Sequence, residues 1–374
     1  MSQSSSLPIL QNITKFNSTL TRILAQNPGP YTLQGTNTYL ISGSKSSFLI
    51  DTGQGLSAYI PILESVLKVN PPVSDIILTH YHGDHVKGIT SVLKSIRSIN
   101  KKHFESSSDQ FKKPKVWKYK LTNPIQNSLI KSDEEAIDTE LIKTYLETLE
   151  EKEDYFEKSS ITEEGTTKPE YQYMNWLKDD QIFKISDQLN LKIIHTPGHT
   201  NDSISCALFS NQCNQTETKP HQLNAIFVGD TILGGSTTIF DDLSAYLKSL
   251  ENLRNLIQSE NLNGLKTSDS STNDQNTRLY PGHGDVIEDG LDKINEYIKH
   301  RLEREKQILG YIAYEPNSTT TDELMKFIYN GKLPERVIPA ALRGLRLHLK
   351  KLMEEDQVKE IELDRWTRLK SNQE

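Results

Sequence analysis

The run Thr79-His80-Tyr81-His82-Gly83-Asp84-His85 follows directly on the apolar stretch Ile76-Ile77-Leu78. The apolar stretch reads as a buried strand, so the fold must place three imidazoles and a carboxylate at the end of a core strand. Imidazole and carboxylate are the groups Zn²⁺ takes in hydrolytic sites, and a strand end holds them rigidly. Four such side chains exceed what one catalytic zinc takes, and the spacing therefore suggests two metals.

Three further candidates lie downstream. His199 follows the strand-like Lys192-Ile193-Ile194 in Thr196-Pro197-Gly198-His199. Asp230 ends Ala225-Ile226-Phe227-Val228-Gly229-Asp230. His283 lies in Tyr280-Pro281-Gly282-His283-Gly284. Each stands at a strand-to-loop transition with Gly or Pro beside it to set a tight turn. Alone, each reads as a capping or core polar group; in this order and context they read as a ligand set. His103 and His195 lack that context and read as structural or surface residues. His300 and His348 fall in predicted helices and are not expected to be ligands.

The rest of the chain has the pattern of a layered α/β protein. Ile13 to Leu24 alternates as a first strand. Tyr39-Leu40-Ile41 and Phe48-Leu49-Ile50 flank a Ser/Gly/Lys turn, the mark of a hairpin. Helical spacing over Ser57 to Val69 stops at Pro71-Pro72, and Gly88 to Ile99 reads as another helix. This order suits two sheets packed face to face with helices outside, an αββα sandwich. Residues 100–170 and 258–277 interrupt it as polar insertions, with Asp133 to Lys158 a solvated helix or loop, and 211–222 forms a polar hairpin loop. Beyond His283 the pattern changes. Helices are expected over Ile294 to Gly310, from the Thr321-Asp322-Glu323 cap to Ile328, and over Ile338 to Met353, with a β-wing over Gln357 to Trp366. The division expected is a domain over 1–290 and a winged-helix-like domain over 291–374. On the last helix Arg343, Arg346 and Lys350 share one side, which suits either a solvated face or a phosphate-contacting one.

Composition narrows the partners. The net charge of −7 is uneven. Residues 131–164 hold thirteen acids and four lysines, a balance of −9, so the remainder carries about +2 (−7 minus −9) and neither demands nor excludes a phosphate-rich substrate. Hydrophobic content of 35% and a mean hydropathy of −0.58 reflect the polar insertions. Cys206 and Cys213 are too few for a disulfide framework and suggest a reducing compartment. No run approaches the ~18 apolar residues of a membrane span. Met1 to Gln26, with Lys15 and Arg22 as its only cations and no acid, has a weak likeness to a transit peptide.

The order HxHxDH, His, Asp, His resembles the metal signature of the metallo-β-lactamase superfamily. The resemblance implies that His80, His82 and His199 hold one Zn²⁺, that Asp84, His85 and His283 hold a second, and that Asp230 bridges them. It also implies that Asp84 orients the attacking hydroxide and that Asp51, in Leu49-Ile50-Asp51-Thr52-Gly53, steadies the ligands from behind. The stretches Asn27 to Leu40, Ser236 to Leu243, Tyr280 to Gly284, and Tyr297 to Arg301 with Arg304-Glu305 are similar to those of the β-lactamase-like protein 2 family. That likeness implies an endoribonuclease acting on single-stranded RNA, with Arg343, Arg346 and Lys350 as possible RNA contacts, in the mitochondrial matrix or else the cytoplasm. The segment Asn27 to Leu40 also resembles fungal acyl-carrier-protein thioesterases, so acyl-thioester hydrolysis, by an acyl-carrier-protein thioesterase or a glyoxalase-II-like hydrolase, is the alternative. A catalytically silent protein would lack a ligand, and none is missing. Asn201-Asp202-Ser203 departs from the family pattern, where a His commonly follows the Asp.

Overall fold

The computed structural model describes residues 7–105, 113–120, 174–210, 213–214, 217–218, 222–265, 276–314, 317–330 and 332–369. The acidic segment 131–164, including the helix or loop expected over Asp133 to Lys158, lies outside them.

Alternation of side chains along the strands explains the layers. In β4 (Ser47–Ile50), Phe48 and Ile50 face one way and Leu49 the other; in β5 (Val73–Leu78), Ile77 opposes Ile76 and Leu78. Both faces are covered, which is why these strands read as unbroken apolar runs. They belong to a seven-stranded mixed sheet ordered β1 (Ile13–Lys15), β2 (Leu20–Leu24), β3 (Asn37–Ser42), β4, β5, β6 (Lys115–Tyr119), β7 (Asn175–Leu177). Its first four strands pair antiparallel and the rest parallel. The outer face packs on α1 (Tyr59–Leu67) and α3 (Ile89–Glu105), with the one-turn α2 (Gly83–Val86) between them in sequence.

The inner face meets a five-stranded sheet made from β8 (Ile182–Lys184), β9 (Leu189–His195), β10 (Ile204–Ser210), β13 (Gln222–Gly229) and β14 (Arg278–Pro281), in the order β14-β13-β10-β9-β8. Tyr39, Ile77, Leu191, Ile193, Cys206, Phe227 and Tyr280 fill the space between the sheets. A short hairpin of β11 (Cys213–Asn214) and β12 (Glu217–Thr218) interrupts β10 and β13. On the outer face of the second sheet lie α4 (Leu243–Leu265) and the first half of α5 (Gly290–Tyr311), through Ile294, Tyr297 and Ile298. The second half of α5 enters another core with Ile308, joined by Ile312 just past the helix end. There it meets α6 (Thr321–Tyr329), α7 (Ile338–Glu354) and a three-stranded wing, β15 (Thr319–Thr320), β17 (Arg365–Arg368) and β16 (Val358–Glu362). One helix, beginning at the expected boundary at residue 290, thus serves both cores.

Three expectations are corrected. The first strand is two, because Asn17 accepts the backbone N–H groups of Thr19 and Leu20 and turns the chain at that point. The polar insertion expected over 100–170 contains a core strand, β6, whose Val116 is buried against α3. Its lysines masked it. The insertion expected from 258 begins later, since α4 continues to Leu265.

Candidate metal centre

Five chain segments end at one rim of the sandwich. Asp51 follows β4, the His80–His85 run follows β5, His199 follows β9, Asp230 follows β13 and His283 follows β14. Two glycines let these ends crowd together. Gly198 has φ +134°, and a Cβ there would stand 2.4 Å from the Tyr246 backbone; one at Gly282 would stand 2.4 Å from Oδ1 of Asp230 and 2.8 Å from the His85 ring.

The side chains form two groups, His80, His82, His199 and Asp230 in one and Asp84, His85 and His283 in the other. In the first, His199 Nε2 lies 3.3 Å from His80 Nε2 and 3.0 Å from His82 Nδ1, and His80 Nε2 lies 3.0 Å from His82 Nδ1. In the second, His283 Nε2 is 3.0 Å from Asp84 Oδ2 and 3.3 Å from His85 Nε2. Asp230 stands between them: Oδ1 is 3.4 Å from His85, while Oδ2 is 3.3 Å from His283, 3.7 Å from His199 and 4.0 Å from His80. All seven expected residues are therefore together, and Asp230 reaches both groups.

Hydrogen bonding behind the rings tests whether a cation fits. His199 Nδ1 donates to the Ile239 carbonyl at 2.7 Å, which turns Nε2 toward the other ligands. His85 Nδ1 donates to Asp51 Oδ2 at 2.7 Å, which turns Nε2 toward Asp84, Asp230 and His283; burial opposes its charged form, but Asp230 and Asp51 outweigh it and raise this imidazole well above the usual histidine range. Thr79 Oγ1 donates to Asp51 at 2.8 Å and so is free to accept from His80 Nδ1 at 3.0 Å. The Nε2 atoms of His80 and His199 thus face each other across 3.3 Å. Asp230 Oδ1, also buried, has no hydrogen-bond partner. Lone pairs and carboxylate oxygens converging in this way fit divalent cations bound by nitrogen and oxygen.

The electrostatics agree. Burial, reinforced by neighbouring imidazoles, pushes His82 down to about 3 and His80 well below the usual histidine range, so both present neutral nitrogen. Burial works against the charged form of His283 too, but Asp230 and Asp84 outweigh it and raise the group to about 9. Burial likewise opposes ionisation of Asp84 and Asp230, yet the histidines beside them hold both carboxyls well below the usual range. The second group is a place where the surrounding acids favour positive charge.

Several contributors carry no sequence signal. Thr36 donates to Asp84 Oδ2 at 3.3 Å, and its backbone pairs with that of His283. Asn37 clamps the His283 loop through the carbonyls of Pro281 and Gly284, at 2.9 and 2.8 Å. Thr238 donates to the Asp230 carbonyl at 2.6 Å. Ser203, at the position where the family pattern differs, is buried behind His199 and accepts the Thr200 N–H at 3.1 Å.

The remaining histidines among the described residues lie apart from the two groups. His195 stacks on Tyr119 at 4.0 Å, His103 ends α3, and His300 and His348 sit on α5 and α7. Arg343, Arg346 and Lys350 share α7, and each faces a carboxylate. Arg343 binds Asp241, Arg346 lies 3.8 Å from Asp364, and Lys350 lies 3.8 Å from Glu354.

Comparison with known proteins agrees with this picture. Residues 31–213 match the Metallo-beta-lactamase superfamily and residues 320–366 the Beta-lactamase associated winged helix domain. A Beta-lactamase-like protein 2 homolog of Caenorhabditis elegans is 33% identical over 349 residues, 93% of this chain and 88% of the worm protein. An Atrochrysone carboxyl ACP thioesterase of Aspergillus chevalieri is 28% identical, over 91% of this chain and 82% of its own. The fold matches a Beta-lactamase domain protein from Burkholderia ambifaria with a TM-score of 0.59 at 16% identity, covering 98% of this chain and 96% of that one. The chain belongs to the metallo-beta-lactamase superfamily, within the family of the beta-lactamase-like protein 2 homologs.

Proposed function

We propose that this metal-dependent hydrolase is an endoribonuclease that cleaves single-stranded RNA with two Zn²⁺ ions. The observation that carries the hydrolase reading is the pair of facing His/Asp groups with Asp230 between them. His80, His82 and His199 would hold one ion, Asp84, His85 and His283 the other, and Asp230 both. When bound, the ions lower the pKa of water toward ~7 and polarise the oxygen of the group under attack. The choice of RNA is supported by the likeness to the beta-lactamase-like protein 2 homologs and by the winged-helix domain beside the site.

The chain's own residues set up the reaction. Asp84 has the most open side chain of the site's acids, 22% exposed against 10% for Asp230. It is ionised, so its free oxygen can accept a hydrogen bond from an incoming water and orient it. Thr36 and His283 fix its orientation. The loop around Thr238 and Ile239 keeps His199 and the backbone of Asp230 in place while charge moves.

The same centre suits attack on a carbonyl carbon, and the 28% identical Aspergillus thioesterase favours that second reading. The test is to assay purified protein on single-stranded RNA and on an acyl-thioester, each with and without chelator. RNA cleavage that chelation abolishes and zinc restores is expected. Turnover of the thioester alone would replace the first reading with the second.

A further inference from the structure

The loop that fixes His199 and Asp230 is also one wall of a cavity. This cavity, about 340 Å³, lies between Thr237–Phe240, α5 and α7. Its volume is in the range of ~300–1,000 Å³ typical of small-molecule sites. None of its fifteen lining residues is acidic, in a chain of net charge −7. Three arginines, Arg301, Arg304 and Arg343, line it with His300 and His348. On the α7 side the wall includes Ala340, Ala341 and Gly344, and a Cβ added at Gly344 would meet nothing within 4 Å.

Two of the arginines hold donors that nothing accepts. Arg301 is only 7% exposed. Its Nη2 donates to Thr237 Oγ1 at 2.6 Å and to the Thr238 carbonyl at 3.2 Å, and its guanidinium lies 4.7 Å from the Phe240 ring centre. Its buried Nε has no acceptor. Arg304 lies over the Tyr329 ring at 4.7 Å, and its buried Nη1 has no acceptor either. Among the described residues neither arginine pairs with a carboxylate. Arg343 is neutralised by Asp241, and the one acid near His348, Glu305, is also held by Lys351 at 3.1 Å. Fixed positive charge out of water is costly without a counter-ion. The aromatic rings offset part of that cost, but they leave the free N–H groups unsatisfied.

We propose that this cavity is a phosphate-binding subsite, in which Arg301 and Arg304 grip a phosphate ester of the substrate while the scissile bond lies at the neighbouring metal centre. Guanidinium groups match phosphate oxygens in charge and in paired-donor geometry. The proposal rests on the hydrolase reading for the reacting bond but not for the binding of the phosphate. Two sources share the chemistry: a phosphodiester of single-stranded RNA, and the phosphate of a phosphopantetheine arm bearing an acyl thioester.

The experiment is calorimetric titration of the full chain, metal-stripped and zinc-loaded, with two matched pairs. One pair is 4′-phosphopantetheine and pantetheine. The other is a single-stranded RNA hexamer and its uncharged methylphosphonate counterpart. In at least one pair the phosphate member binds tenfold or more tightly than its neutral partner, with or without metal, and the pair that shows this identifies the source. Arg304→Gln removes the difference and Arg304→Lys keeps part of it. Gly344→Leu, which fills the cavity without altering charge, also removes it. Equal binding within both pairs, or a difference that survives both Arg304→Gln and Gly344→Leu in protein of unchanged melting temperature, overturns the subsite. Because no turnover is read, an inactive enzyme that still discriminates the pairs would count against the hydrolase reading and in favour of the subsite.

Discussion

Asp51 belongs to neither ligand group, yet it reaches both. Its Oδ1 accepts the Thr79 N–H at 2.8 Å, and its Oδ2 accepts from Thr79 Oγ1 at 2.8 Å and His85 Nδ1 at 2.7 Å. Through Thr79 it sets the tautomer of His80; directly it sets that of His85. It does so from a left-handed backbone, φ +60°, which Asp tolerates better than most residues. Asp51→Asn keeps the shape but removes one acceptor, and partners of this kind are worth ~10–100-fold in metal affinity. A loss of that size is expected in competition titrations against a chromophoric chelator, with the circular dichroism unchanged. A change under twofold would show that packing alone orients the rings. At this scale the sequence was legible wherever a ligand is a side chain of distinctive chemistry. The seven candidates were legible for that reason, whereas Asp51 entered only through the family resemblance. Thr36 and the Ile239 carbonyl were not, since a threonine or a backbone oxygen looks the same in sequence wherever it lies.

Strand β6 shows what hides an element. Val116 is apolar and buried, but Lys118 is fully buried as well, its Nζ 2.7 Å from Asp202 Oδ2. A lysine-rich strand next to polar sequence reads as surface, and only the tertiary partner reveals it as core. The pair braces the metal loop, because Asp202 also accepts from Thr200 Oγ1 at 2.7 Å, next to His199. Removing one member of a buried pair strands the other and costs ~3–5 kcal/mol. Lys118→Met is therefore expected to destabilise the protein by about that much in urea denaturation, and the double variant Lys118→Met with Asp202→Leu to recover most of it. A single variant within about 1 kcal/mol of the parent would show that water or relaxation already screens the pair. Elements with clean signals were found close to their observed bounds. The Pro71-Pro72 stop, the Thr321-Asp322-Glu323 cap, whose N-cap falls one residue earlier at Thr320, and the apolar period of α7 all give local instructions that tertiary contacts do not override.

Across the whole molecule, charge is arranged more tightly than the sequence suggests. Arg343 joins the winged-helix domain to Asp241, beside the metal loop, while Arg346 and Lys350 make longer, partly exposed pairs at 3.8 Å. Exposed pairs contribute ~0–1 kcal/mol, so a nucleic-acid phosphate could displace the carboxylates at small cost. Replacing all three by Gln is expected to weaken single-stranded RNA binding and to lower its log–log salt slope by up to ~2, at about 0.7 for each phosphate no longer neutralised. An unchanged slope in fluorescence-anisotropy titrations at several salt concentrations would mark the face as merely solvated. The helix α5 has a consequence of another kind. Ile294 and Ile298 are bricks in the sandwich, Ile308 is a brick in the winged helix, and one unbroken helix carries all three. A cut before residue 290 strips the larger body of an outer wall, and a cut after 311 leaves the smaller one without a beam. The tail is therefore not a detachable module that could be lost or exchanged at a linker; recombination would have to carry the shared helix with whichever half it moved and leave the other half open.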